Sequence, residues 1–185
     1  MSVWQLPVHA VIGGICYPLH ADYRDVLEIF SYLEDPDLPE FLRWKIAVAL
    51  LFEGEIPEKD QQEATAYLAW FVRGGTEEET QPGAKLLDWE QDAPLIAADI
   101  NKAAGQEIRA MAFLHWWTFL AWFHGIGQGQ LSAVVTIRDK LHRGKKLESW
   151  EKEYYRENKN RVDIRKRYSR AELAQQAALK KLLGE

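Results

Sequence analysis

One cysteine in 185 residues leaves no possibility of an intramolecular disulfide. Stability must therefore come from a packed core, and a reducing compartment is expected. Cys16 has no basic neighbour in sequence, so no reactive thiolate is expected there. No basic segment leading into an apolar run is read at the N-terminus, and no secretory signal is expected. Long apolar runs are also scarce. The best, 110–126, is interrupted by His115, Thr118 and His124 and falls short of the about 20 residues that a bilayer span needs. It reads as a buried core helix, and no membrane association is expected.

The signatures of catalysis are missing as well. There is no Gly-Lys-Ser/Thr phosphate loop. Gly125-x-Gly127-x-Gly129 follows a predicted helix rather than a strand and lacks the dinucleotide spacing, so it reads as a helix-breaking turn. The histidines at 9, 20, 115, 124 and 142 are scattered, and the nine-residue gap between His115 and His124 is not a metal-ligand spacing. Glu90 and Asp92 stand where they complement the macrodipole of a predicted helix. No catalytic residue, metal site or cofactor is expected, and the chain does not read as an enzyme.

Aromatic residues, by contrast, are abundant. Hydrophobic residues make up 47% of the chain and aromatic ones 12%, which excludes global disorder. Residues 113–123 read Phe-Leu-His-Trp-Trp-Thr-Phe-Leu-Ala-Trp-Phe. Each large aromatic side chain buries roughly 150–250 Å², so this segment belongs at the centre of a fold or in a partner groove. Trp116, Trp117, Phe119 and Trp122 cannot all face one way on a helix. His115, Trp116 and Phe119 are expected to organise the core, and Trp122 is a candidate partner-binding residue.

Charge divides the chain. Residues 1–139 carry 9 Lys/Arg against 21 Asp/Glu, and residues 140–185 carry 14 against 7, so nets of −12 and +7 sum to −5. An acidic body with a basic tail implies an electrostatic contact between them, an acidic partner, or simply a solvated basic helix. Residues 1–145 are expected to form a helical core domain and 146–185 a basic helical extension. Arg161, Arg165, Lys166, Arg167 and Arg170 form the best nucleic-acid candidate, but the acidic body opposes a polyanion and no nucleic-acid motif accompanies them.

The pattern predicts a mainly α, compact multi-helix domain with a small N-terminal β-hairpin. Residues 8–20 alternate around Gly13-Gly14, a pair suited to a tight turn. Asp22 is the expected cap of a helix over about 23–34. The segment 39–53 is apolar on most faces beyond Lys45 and reads as a central buried helix. Further helices are expected over about 58–73, from Asp88 to Ala104, from Glu107 to His124, and over 130–140. Residues 76–83 read as a flexible acidic loop. Glu148–Lys159 is charged and helical, with Trp150 and Tyr154 as candidate contacts for a partner. A last helix opens with the capping box Ser169-Arg170-Ala171-Glu172. Its thin apolar stripe calls for packing on the body or for a partner.

Two blocks in order, Leu86-Leu87-Asp88-Trp89-Glu90-Gln91-Asp92-Ala93 and Leu114-His115-Trp116-Trp117-Thr118-Phe119, followed by Val135-Thr136-Ile137-Arg138, resemble the bacteriophage gene-product-fifteen family of long-tailed phages and prophages. Ile12-Gly13-Gly14 and Tyr17-Pro18-Leu19-His20-Ala21-Asp22-Tyr23-Arg24 add to the resemblance. It extends over about residues 8–160. One departure is Gly105-Gln106-Glu107-Ile108, where the family has Gly-Ile-Asp-Leu. Asp88, Trp89, Asp92, His115, Trp116, Trp117, Phe119 and Arg138 are the motif positions. The resemblance implies a morphogenesis protein without catalysis, encoded near the tape-measure gene and acting as a tail assembly chaperone for the tape-measure protein. It also implies a homo-oligomer in the host cytoplasm or the virion. The alternatives are a structural virion component, such as a tail-completion or connector protein, and a nucleic-acid-binding module. Arg165, Lys166 and Arg167 complete the candidate partner-binding residues.

Overall fold

In the computed structural model, which describes residues 4–76 and 83–183, the chain opens into the predicted hairpin. Strands β1 (His9–Ile12) and β2 (Ile15–Pro18) pair antiparallel, with His9 opposite Pro18 and Ile12 opposite Ile15. Gly13 and Gly14 make the turn at φ +57° and +80°, a region that costs little only without a Cβ. Space is also tight at Gly13, where a Cβ would lie 2.5 Å from Asp60 Oδ2.

Two units divide the contacts: residues 7–71 with 166–185, and residues 1–6 with 72–165. Residues 146–165 cluster with the preceding helices, and 166–185 belong with residues 7–71.

In the first unit, α1 (Tyr23–Leu33) starts where the Asp22 carboxylate accepts from the Arg24 N–H at 3.0 Å. Its buried face is Tyr23, Val26 and Ile29. Helix α2 (Glu40–Leu51) follows Pro39 and packs on α1. The hairpin joins its end through the Leu19–Phe52 bridge and the edge-on Tyr17–Phe52 contact at 6.2 Å. The expectation that α2 is buried on most faces is corrected. Its buried residues are Ala47, Val48 and Leu51, because α1 and the hairpin end cover one stripe, and Phe41 is 73% exposed. A 3-10 turn at Glu58–Asp60 leads into α3 (Gln61–Val72), which buries Ala64, Leu68 and Phe71.

The C-terminal helix, labelled α9 (Arg170–Leu183) in chain order, opens with the predicted capping box. Ser169 N–H donates to Glu172 Oε2 at 2.7 Å, and Glu172 N–H donates to Ser169 Oγ at 3.2 Å. Arg170 N–H donates to Asp37 Oδ1 at 2.7 Å, and Arg167 pairs with Glu34 at 3.7 Å.

The second unit holds α4 (Ala93–Ala104), α5 (Trp116–His124), α6 (Gln130–His142), α7 (Ser149–Glu157) and α8 (Lys159–Val162). Two boundaries differ from the sequence reading. Helix α4 begins at Ala93 rather than after Asp88, because 89–92 form turns closed by the Asp88 side chain. The aromatic helix begins at Trp116 rather than near Glu107. Asn101 Oδ1 accepts from the Ile108 N–H at 2.8 Å and fixes a 3-10 turn at Ile108–Ala110. The chain then runs on to His115, whose Nδ1 accepts from the Trp117 N–H at 3.0 Å as the N-cap. Gly129 has no side chain to cap α6, and Asp99 of α4 substitutes by accepting from the Leu131 N–H at 3.2 Å.

The structure is mainly α with a two-stranded hairpin and a C-terminal helix. Of the expected acidic loop, residues 77–82 lie outside the described residues. Among the described residues, no helix is long and apolar enough to cross a membrane.

Candidate functional site

Asp92 and Arg138 lie on α4's N-terminal cap and on α6, 46 residues apart, and meet as a buried ion pair. Their side chains are 1% and 5% exposed. Arg138 Nη1 reaches Asp92 Oδ2 at 2.6 Å and Nη2 reaches Oδ1 at 2.9 Å, a bidentate fork. The other donors go to backbone: Nε to Val162 O at 2.6 Å, Nη1 to Leu86 O at 2.9 Å and Nη2 to Arg161 O at 2.9 Å. Every guanidinium N–H is thereby used. Asp92 also accepts from the Asp88 N–H at 3.0 Å. The expected role of Asp92 as a complement to the helix dipole gives way to this pairing.

Asp88 is held as firmly. Its Oδ1 accepts from the N–H groups of Glu90 and Gln91, at 3.1 and 2.9 Å, and its Oδ2 faces Lys85 Nζ at 3.0 Å. Gln91, which sequence reasoning did not single out, spans to the distant segment 161–165. Its Nε2 donates to Asp163 O at 2.9 Å, and its Oε1 accepts from the Arg165 N–H at 2.9 Å.

Around this clamp the segment 147–163 is sewn to α6. Leu147 and Val162 pack with Ile137, and Tyr154 and Tyr155 lie against them. Glu151, 1% exposed, accepts from Lys140 Nζ at 2.6 Å and from the Glu148 N–H at 2.7 Å. The lysine hydrogen bond, followed by that backbone N–H, holds the Glu151 carboxyl below its ordinary range. The same bond raises Lys140. Tyr155 donates to Asp163 Oδ1 at 2.9 Å, which pushes its phenol up.

The aromatic block forms a second knot. Trp116 is fully buried, stacks on Phe119 at 5.3 Å and 17°, and donates from Nε1 to Val72 O at 3.0 Å. Trp89 meets Trp116 at 5.8 Å, Phe119 at 6.2 Å and Phe123 at 5.2 Å. The two motif blocks therefore touch, and His115, Trp116 and Phe119 are all buried. Trp117 is half-buried, in edge-on contact with His115 at 6.2 Å.

The candidate partner-binding residues fall in both units. Trp122 is half-buried. Trp150 is 51% exposed, whereas Tyr154 is half-buried against the Ile137 cluster. Arg165 is exposed in the unit of 72–165, where Arg156, Lys159 and Arg161 surround the same open depression of about 460 Å³. Lys166 and Arg167 belong to the other unit, and Arg167 is engaged by Glu34.

What the motif residues do chemically is hold backbone. Asp88, Asp92 and Arg138 bond to one another, to Lys85 and to main-chain groups, and Arg138 also lines an open depression of about 330 Å³ with Leu86, Leu141 and Val162. Among the described residues, no group of three or more His, Cys, Asp or Glu is placed to hold a metal ion. A family model described as "Bacteriophage Gp15 protein" matches residues 5–164. No curated protein and no solved structure matches the chain.

Proposed function

The chain belongs to the bacteriophage Gp15 family, and on that premise we propose that it acts without catalysis in tail morphogenesis, as an assembly chaperone for the tape-measure protein. The match over residues 5–164 carries the reading. The use of the motif residues supports it, since Asp88, Asp92, Arg138, Trp116 and Phe119 hold the fold and leave recognition to the surface.

That surface carries large apolar side chains. Phe113 and Trp150, both in the unit of 72–165, are 53% and 51% exposed. A long, apolar, helical client is captured by such side chains through helix-in-groove contacts. Several copies cover one client, so the protein works as a homo-oligomer in the host cytoplasm before the tail tube closes. The acidic surface keeps such a complex soluble.

Co-expression with the tape-measure protein of the same phage, followed by purification at moderate salt, tests this. A co-purifying complex that is absent from finished particles is the expected result. Failure to co-purify, together with stoichiometric presence in virions, overturns the chaperone reading in favour of a structural component.

A further inference from the structure

Helix α2 is apolar on nearly every side, and a helix of that kind is normally enclosed. Here only Ala47, Val48 and Leu51 are buried, and Phe41 is 73% exposed. Phe41, Trp44, Val48 and Ile56 line an open groove of about 640 Å³ together with Glu55 and Glu58. Lys45 also lies in the lining. Glu55 and Glu58 are exposed, and neither has an ion-pair partner among the described residues.

The same unit carries a complementary element that covers nothing. Every side chain of α9 described, from Arg170 to Leu182, is exposed. Leu179 and Leu182 are 58% and 83% exposed and stand three residues apart, on one side of the helix. Lys180 and Lys181 lie between them in sequence. A 14-residue helix that buries no face is marginal alone in water.

We propose that α9 of one copy docks into the α2 groove of a second copy, and that the exchange is reciprocal. Leu179 and Leu182 would fill the apolar lining, and Lys180 and Lys181 would meet Glu55 and Glu58. Charge complementarity selects this occupant, since the groove offers two free carboxylates and α9 offers two ammonium groups beside its leucines. Reciprocal exchange gives a self-complementary, closed two-fold pair rather than an open chain. The inference deepens the self-association within the proposed function and is independent of the client, so the two fail separately.

Sedimentation velocity on the full chain, across a broad concentration range, reads the outcome. The wild type should dimerise. Leu182→Glu should weaken the dimer roughly thirtyfold or more, as expected for a central anchor. Circular dichroism should lose at most the signal of α9 and keep that of the rest of the chain, because the Leu182 side chain is exposed. The decisive pair is Glu55→Lys/Glu58→Lys and, in a separate chain, Lys180→Glu/Lys181→Glu. Each alone should weaken association about tenfold. An equimolar mixture should restore it, because both contacts of the mixed dimer are then complementary. A wild type that is monomeric throughout, or a mixture that fails to recover, overturns the proposal. Recovery only when all four reversals share one chain would place α9 in its own groove instead. A monomeric wild type whose Leu182→Glu variant loses tape-measure co-purification would assign the leucine face of α9 to the client and overturn the proposal.

Discussion

Replacing Arg138 by Met keeps the apolar stem and removes every donor of the clamp. Asp92 would remain 1% exposed with only the Asp88 N–H for company, and the carbonyls of Leu86, Arg161 and Val162 would each lose a partner. Removing one member of a buried ion pair costs about 3–5 kcal/mol, mostly from the charge left behind. Total stabilities are about 5–15 kcal/mol, so this is a large fraction. In a chain of this length each kcal/mol lowers the midpoint by about 2–4 °C, which gives a drop of about 6–20 °C. Differential scanning calorimetry measures it directly. Limited trypsin digestion localises it, since Arg161 and Arg165 lie on the segment that Arg138 and Gln91 hold. Arg138→Lys should lose less, keeping a positive charge but not the bidentate fork. Asp92→Leu combined with Arg138→Met should recover part of the loss, because no charge is then stranded. Arg138→Met with an unchanged melting curve and unchanged cleavage after Arg161 would refute the view that this pair organises the unit.

Trp116→Ala and Phe119→Ala should each cost about 3–5 kcal/mol by cavity formation, read as lowered midpoints in denaturant. Trp116→Phe should cost less, yet it strands the Val72 carbonyl that now accepts from the indole. Because the Glu151 carboxyl is held below its ordinary value of 4.5, its contribution is full above that pH and is lost as pH falls beneath it. Melting temperature followed from neutral to acidic pH should therefore decline less steeply below the ordinary carboxylate range in Glu151→Gln than in the wild type. Gly13→Ala should destabilise more than Gly14→Ala, both by thermal melting. Both sit at positive φ, but only at Gly13 does a Cβ run into Asp60, whereas nothing lies within 4 Å at Gly14.

Local punctuation was legible in the sequence because it acts through neighbours. Gly13-Gly14, the Asp22 cap, the Ser169/Glu172 box and the left-handed Gly105 all do in the structure what their residue types favour. The errors arise where a distant group decides. Asp88 does accept from the Glu90 and Gln91 N–H groups as a cap would, but residues 89–92 stay in turns and the helix starts at Ala93, beside an Asp92–Arg138 pair that no local pattern announces. Residues 107–115 have helix-forming side chains, but Asn101 and Glu107 fix a 3-10 turn, and His115 caps the next helix. Helix α2 looked enclosed because composition reports how much apolar surface exists and not whether this chain supplies the cover. Gln91 carried no signal at all. A lone glutamine gives no hint that it will hold backbone more than seventy residues away.

The identity of the motif residues and the location of recognition are thus separate questions. Asp88, Trp89, Asp92, Trp116, Phe119 and Arg138 make the family recognisable, and all six side chains are turned toward the fold. Substituting them destabilises the unit, so a loss of partner binding in such a variant says nothing about where the partner sits. Surfaces that discriminate among partners must be sought where apolar or charged groups remain uncovered, at Phe41, Phe113, Trp150 and α9. A variant at one of these exposed positions that keeps its melting temperature and loses a partner identifies a contact. A motif variant that loses both identifies only the scaffold.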